Sequence, residues 1–191
     1  MGLFYRATPK ELLDIRNKII LETAIPSFFK NGFKKSPFST AWFARNAHKD
    51  FSYELCRLTS NSRLEIIDIY IARGDRWIKL KLNIFELEPQ VDSIDQLNNV
   101  DGLQFVLPPN SLTEMHWRSD DIKGPPLFRL NYMFGHKLKS FHTKGGLARN
   151  IKRLTKTVQT DSDNLEYFVK RWYELHYPMR TSWTGLEIRP E

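Results

Sequence analysis

Cysteine is almost missing from this chain. Cys56 is the only one in 191 residues, which excludes an intramolecular disulfide and any zinc site built from cysteines. Long apolar runs are missing too: no stretch approaches the roughly 18 residues needed to span a bilayer, and Met-Gly-Leu-Phe-Tyr-Arg-Ala-Thr at the N-terminus turns polar too early for a secretory signal. Gly2 follows Met1, but myristoylation asks for Ser or Thr at position 6, where this chain has Arg6. The expectation is a soluble, cytoplasmic protein. Neither a phosphate-cradling Walker loop nor a dinucleotide fingerprint occurs, so no cofactor is expected.

The most informative absence is local. From Ile122 to Thr160 there is no Asp or Glu, while the same stretch holds Lys123, Arg129, Lys137, Lys139, Lys144, Arg149, Lys152, Arg153 and Lys156. Immediately before it, Glu86 to Asp121 carries Glu86, Glu88, Asp92, Asp95, Asp101, Glu114, Asp120 and Asp121 against the single base Arg118. Overall the chain has a formal charge of +7, which attracts acidic partners at long range. Nucleic acid, an anionic membrane and an acidic protein surface all satisfy that condition.

Hydrophobic residues at 41% and aromatics at 13% are those of a folded domain with a real core. The length suits one domain over residues 1–191. Thr8-Pro9-Lys10-Glu11 reads as a helix start, with Thr8 as cap, Pro9 at the first helical position and Glu11 completing a capping box. Leu12, Ile15, Ile19 and Ile20 then recur at helical spacing until Ile25-Pro26, where a kink or an end is expected. Phe28, Phe29 and Phe33 follow around Asn31-Gly32, and packing of a helix exit is their commoner use than base stacking. A brief helix is expected over Thr40–Ala47.

From Phe51 to Leu87 the period becomes two. Strands are expected over Phe51–Leu58, Arg63–Ala72 and Trp77–Leu87, joined by turns at Ser60-Asn61-Ser62 and Arg73-Gly74-Asp75-Arg76, which makes an antiparallel meander with one buried face. Residues 88–110 read as an excursion with a helical turn or two in Ser93–Val100 and a strand at Leu103–Leu107. Leu112–Trp117 could rejoin the sheet. A hairpin is expected over Leu127–Phe134 and Lys137–Phe141, then two helices, the second carrying Leu165, Phe168, Val169, Trp172 and Leu175 on one face and ending before Pro178. The fold class is α+β: a central antiparallel sheet with N-terminal helices and two C-terminal helices packed on it.

The candidate site follows from helical geometry. At about 100° per residue, Leu147, Ile151, Leu154 and Val158 share one sector and Arg149, Lys152, Arg153 and Lys156 the sector opposite. Lys144, Gly145 and Gly146 precede them, placing a cation and pliant backbone at a helix N-terminus that favours anions. The hairpin adds Arg129, Lys137 and Lys139, interleaved with Phe128, Tyr132, Phe134 and Phe141. Cations that follow an anionic backbone, with rings for stacking, suit nucleic acid. The plainer reading is a solvated helix face with the aromatics in the core.

The function expected is therefore non-enzymatic binding of an anionic macromolecule, nucleic acid above others, through Arg129, Lys137, Lys139, Lys144, Arg149, Lys152, Arg153 and Lys156. An alternative is an inhibitor, immunity or regulatory protein that neutralises a partner protein, with Trp117, Trp172, Tyr173, Tyr177 or Trp183 as anchors. Pairing of the acidic and basic stretches, within one chain or across a homodimer, would leave no free patch. A residual reading is a metal-dependent nuclease using Asp68 with Lys79 and Lys81. The carboxylate such a site needs just before its lysine is missing, and Glu65 points to the other side of its strand. His116, His136, His142 and His176 with Glu114 match no ligand spacing, so no metal is expected. Cys56, inside a strand, reads as a small buried residue rather than a nucleophile.

Overall fold

A computed structural model describes residues 5–106, 114–118 and 135–176, together with the backbone of 180–181 and 187–188. Helix α1 spans Pro9–Ile19, and its Thr8 hydroxyl accepts the Glu11 N–H at 3.1 Å. The Glu11 carboxylate accepts a hydrogen bond from the Tyr5 hydroxyl. Pro26 does not end the helix. A π turn over Ile20–Ala24 precedes α2, Ile25–Lys30. In a regular α-helix the proline ring would clash with the carbonyl four residues back, and the wider π ladder just before it relieves that crowding. The real stop comes at Gly32, whose φ of 85° is a left-handed conformation that suits glycine. There the Phe33 N–H returns to the Phe28 carbonyl at 3.0 Å, and both rings are buried. The aromatic cluster thus packs the helix exit, with Phe29 stacked on Phe43.

The sheet is a seven-stranded antiparallel structure. Its centre is the expected meander: β3 (Phe51–Ser60), β4 (Arg63–Ile71) and β5 (Lys79–Glu88). Register sets Leu55 beside Ile67 and Ile67 beside Leu82, and likewise Tyr53, Ile69 and Leu80, so one face is a continuous apolar surface. The free edge of β3 is shared by β1 (Lys34–Lys35) and β2 (Phe43–Arg45). That of β5 is shared by β6 (Gln104–Val106) and β7 (Met115–His116). β2 replaces the helix expected over Thr40–Ala47. The open edge of β3 offers backbone partners that a short isolated helix lacks, and the Glu54 N–H donates to the Trp42 carbonyl at 2.8 Å. Within its described residues the excursion holds a 3-10 turn, Ile94–Gln96.

Two C-terminal helices, α3 (Lys144–Asp163) and α4 (Leu165–His176), pack with α1 and α2 on the apolar face. Leu147, Leu154 and Val158 of α3 and Leu165, Phe168, Val169 and Trp172 of α4 are buried in the same core as Ile67, Leu80 and Leu82. Trp117, next to β7, lies between Phe28 at 5.7 Å and a stacked Phe168 at 4.2 Å. Complete burial of a ring such as Phe28 stabilises the fold by about 2–3 kcal/mol. The other face carries a smaller cluster of Cys56, Leu64, Leu87, Val91, Ile94 and Leu97, and beyond it a polar field. A short strand pair, β8 (Arg180–Thr181) with β9 (Glu187–Ile188), lies near the end of the chain. No helix among the described residues is long and apolar enough to cross a membrane.

Buried charges help hold the helical layer to the sheet, Arg16 and Asp161 among them. Arg16, fully buried on α1, donates to the carbonyls of Leu12, Ala72 and Trp77 and to Asp75 at 2.7 Å, fastening the Arg73–Arg76 turn. Asp161 on α3 takes a bidentate pair from Arg118 and lies 2.6 Å from the His136 ring. Burial alone would push the Asp161 carboxyl up, but the hydrogen bonds from His136 and Arg118 outweigh it and hold it below the ordinary value. Gly135 leaves room at that junction: a Cβ there would come within 2.6 Å of the Arg118 side chain, which would have to shift.

Candidate functional site

Helix α3 forms as its pattern predicts. The Thr143 hydroxyl caps it by accepting the Gly146 N–H at 2.9 Å, and its basic residues face away from the core. Arg149, Lys152 and Lys156 are exposed, and they span eight residues, about 10 Å along the axis. Arg153 is half-buried and reaches sideways to the Lys137 carbonyl at 3.2 Å. Asn150 donates to the carbonyls of Lys139 and Ser140 at 3.1 and 3.3 Å. These three bonds fasten residues 137–140 along the helix. The exposed Lys137, Lys139 and Lys144 are therefore brought beside Arg149, Lys152, Arg153 and Lys156 on one surface.

The expected strand over Lys137–Phe141 does not form. Trp77 and Lys137 make an isolated bridge, with the Ile78 N–H on the His136 carbonyl and the Leu138 N–H on the Arg76 carbonyl. The Lys137 carbonyl accepts from Arg153 and those of Lys139 and Ser140 from Asn150, so this segment is held to the helix by side chains. Arg129, Phe128, Tyr132 and Phe134, with the first strand of the expected hairpin, lie outside the described residues. Phe141 is half-buried.

Two acids of the acidic stretch have partners outside the basic stretch. Glu86 pairs with Arg63 at 3.2 Å, and Glu114 pairs with Lys81 at 2.7 Å and lies 3.4 Å from His116. Among the described residues, no ion pair joins the acidic stretch to Lys137, Lys139, Lys144, Arg149, Lys152, Arg153 or Lys156. Aromatic contacts position two of these cations instead: Lys137 lies over the Trp77 ring at 4.7 Å and Lys144 over Tyr5 at 5.6 Å.

The stripe leads into a cleft that the sequence did not signal. Tyr5, Arg6, Ala7, Arg76, Phe141 and His142 enclose about 400 Å³ beside the N-terminus of α3. The Tyr5 N–H bonds to the His142 carbonyl at 2.9 Å, bridging two walls. Arg76 lies over the Phe141 ring at 5.3 Å and reaches Ser140 at 3.5 Å. Gly146 permits the close wrap of this wall over the helix, because a Cβ there would sit 3.2 Å from the Thr143 hydroxyl and 3.4 Å from Phe141. Arg6, Arg76 and His142 come from three distant stretches, so no spacing rule could have grouped them.

The opposite face of the sheet carries the residues of the nuclease reading. Glu54, Asp68, Lys81 and His116 occupy successive register positions across β3, β4, β5 and β7. Burial, reinforced by Glu54, pushes the Asp68 carboxyl up to about 6. Lys79 is the register partner of Tyr70, with its ammonium 5.6 Å from that ring. Glu65 is on the helix-covered side, bound to Arg57 at 2.6 Å. Among the described residues no group of three or more His, Cys, Asp or Glu is arranged to hold a metal. His136 is buried against Asp161 and His142 lines the cleft, far apart in role, while the His176 side chain lies outside the described residues. Cys56 is buried and its thiol is pushed up to about 12, chiefly by burial, which leaves it unreactive.

Of the anchors in the protein-inhibitor reading, Trp117 and Trp172 are core residues at 2% and 3% exposure and cannot anchor a partner. Tyr173 is half-buried with Arg63 over its ring, and Tyr177 and Trp183 lie outside the described residues. No family model, curated protein or solved structure matches this chain.

Proposed function

We propose that the protein binds nucleic acid through the surface formed by α3 and the segment fastened beside it, with Lys137, Lys139, Lys144, Arg149, Lys152, Arg153 and Lys156 meeting phosphates. One observation carries this reading: cations separated in sequence are gathered on one surface, while two acids of the preceding stretch, Glu86 and Glu114, pair with Arg63 and Lys81 instead. A rigid helix bearing exposed cations over about 10 Å suits a phosphate backbone, whose charge repeats at short intervals. The nearby rings and half-buried Phe141 suit a single strand better than a duplex, because unpaired bases have free faces to stack.

The test is fluorescence anisotropy with labelled single-stranded and duplex DNA and RNA over a salt series. Arg153 also holds the Lys137 carbonyl, so the informative variant replaces Arg149, Lys152 and Lys156 together by Gln and leaves Arg153 in place. Affinity should fall and the slope of log K against log salt should drop by about 2 for a single strand, at roughly 0.7 per lost phosphate contact. Unchanged affinity and slope refute the proposal. A stoichiometric protein partner that survives nuclease treatment, with no binding to any nucleic acid at low salt, would replace it with the inhibitor reading.

A further inference from the structure

The cleft beside the N-terminus of α3 has the construction of a ligand site, which the helical stripe alone does not. Its volume of about 400 Å³ is that of a small-molecule pocket and larger than a lone phosphate needs. Its lining combines the cations Arg6 and Arg76 with His142 and the rings of Tyr5 and Phe141, and contains no carboxylate. The nearest acids are committed: Glu11 holds the Tyr5 hydroxyl, and Asp75 holds Arg16. Lys144 adds a third cation at its edge, set over the Tyr5 ring. Two of these cations are positioned before any ligand arrives, Arg76 by Phe141 and Ser140 and Lys144 by Tyr5, which lowers the ordering cost of binding.

We infer that this cleft seats the phosphorylated terminal nucleotide of a strand, its phosphomonoester on Arg6, Arg76 and Lys144 and its base against Tyr5 and Phe141. The inference rests on the nucleic-acid reading of the stripe. Several converging cations match a dianionic monoester better than the single charge of an internal diester. The position agrees: the cleft lies where the stripe meets the start of α3, and the Tyr5–His142 backbone bond bridges its walls. The amide ends of α3 add partial positive charge on the same side, and guanidinium groups can grip a phosphate in bidentate fashion.

The experiment uses the full chain with one single-stranded sequence in four forms: 5′-phosphorylated, 3′-phosphorylated, hydroxyl at both ends, and circular. Each is measured against the wild type, Arg6→Gln/Arg76→Gln, and the Arg149, Lys152 and Lys156 triple-Gln variant, with thermal melting to check folding. One phosphorylated form should bind roughly tenfold tighter than the hydroxyl and circular forms, about the value of one charge-assisted contact pair. That preference should vanish in Arg6→Gln/Arg76→Gln. In the triple variant it should persist while every affinity falls.

Equal affinity for all four forms overturns the terminal subsite and leaves the stripe reading standing. If no oligonucleotide binds, the stripe reading fails and titration with adenosine monophosphate decides the cleft separately. Saturable binding lost in Arg6→Gln/Arg76→Gln supports a nucleotide site, and no binding overturns it.

Discussion

Replacing Asp68 by Asn should stabilise the protein at neutral pH. Asp68 is half-buried in the middle of β4, with Glu54 opposite on one side and Lys81 on the other. Burial is the largest influence on its carboxyl, Glu54 adds to it, and Lys81 compensates only in part, so the pKa stands at about 6 against an ordinary 3.8. The folded state thus holds this proton more tightly than the unfolded chain does. Its contribution to stability is full below pH 3.8 and is lost as pH rises through about 6. At about 1.4 kcal/mol per pH unit that interval is worth about 3 kcal/mol, and the part-exposed position reduces the expectation to about 1–2 kcal/mol. Asn keeps the shape and carries no charge to desolvate. Urea denaturation at pH 7.5 should place Asp68→Asn about 1–2 kcal/mol above wild type, and the gap should close by pH 4. Glu54→Gln should recover a smaller part. A variant less stable than wild type at pH 7.5 would refute the reasoning, because it would mean that attraction to Lys81 exceeds the cost of burial. Nucleic-acid affinity should stay unchanged in Asp68→Asn, since this residue lies on the sheet face away from the helices.

Two further outcomes test the buried charges that fasten the helices. Asp161→Asn should cost about 2–3 kcal/mol at pH 7, toward the low end for a broken buried pair because Arg118 is 40% exposed and can turn to solvent. The folded Asp161 carboxyl is held low, so its contribution is present above the unfolded value near 4 and is lost as pH falls through the folded one. The difference between wild type and variant should therefore shrink toward pH 3, and a constant gap from pH 7 to 3 would show that the charge is not the cause. Arg16→Met should cost about 3 kcal/mol in chemical denaturation, because the methionine fills much of the volume but leaves the Ala72 and Trp77 carbonyls without their donor. Asp75→Asn should cost less, as that side chain is 22% exposed, and the reverse order would refute the assignment.

What the sequence determined by itself was whatever depends on near neighbours. The Thr8 cap, the alternation through Phe51–Leu87 and the two faces of α3 are set by side chains within a few residues of one another, and each reached the structure as the pattern implies. The gathering of positive charge in 122–160 was equally plain from composition. Tertiary structure decided the rest. Residues 43–45 became a strand because β3 had an edge to fill, a π turn carried the helix past Pro26, and Asn150 and Arg153 fastened the segment at 137–140 to α3 where a strand was expected. Only the folded chain could send Glu86 to Arg63 and Glu114 to Lys81, leaving the basic surface without them. The cleft has the same origin. Arg6, Arg76 and His142 meet because a sheet turn, a helix start and an N-terminal segment converge, and such long-range closure leaves no periodic trace in the residues that make it.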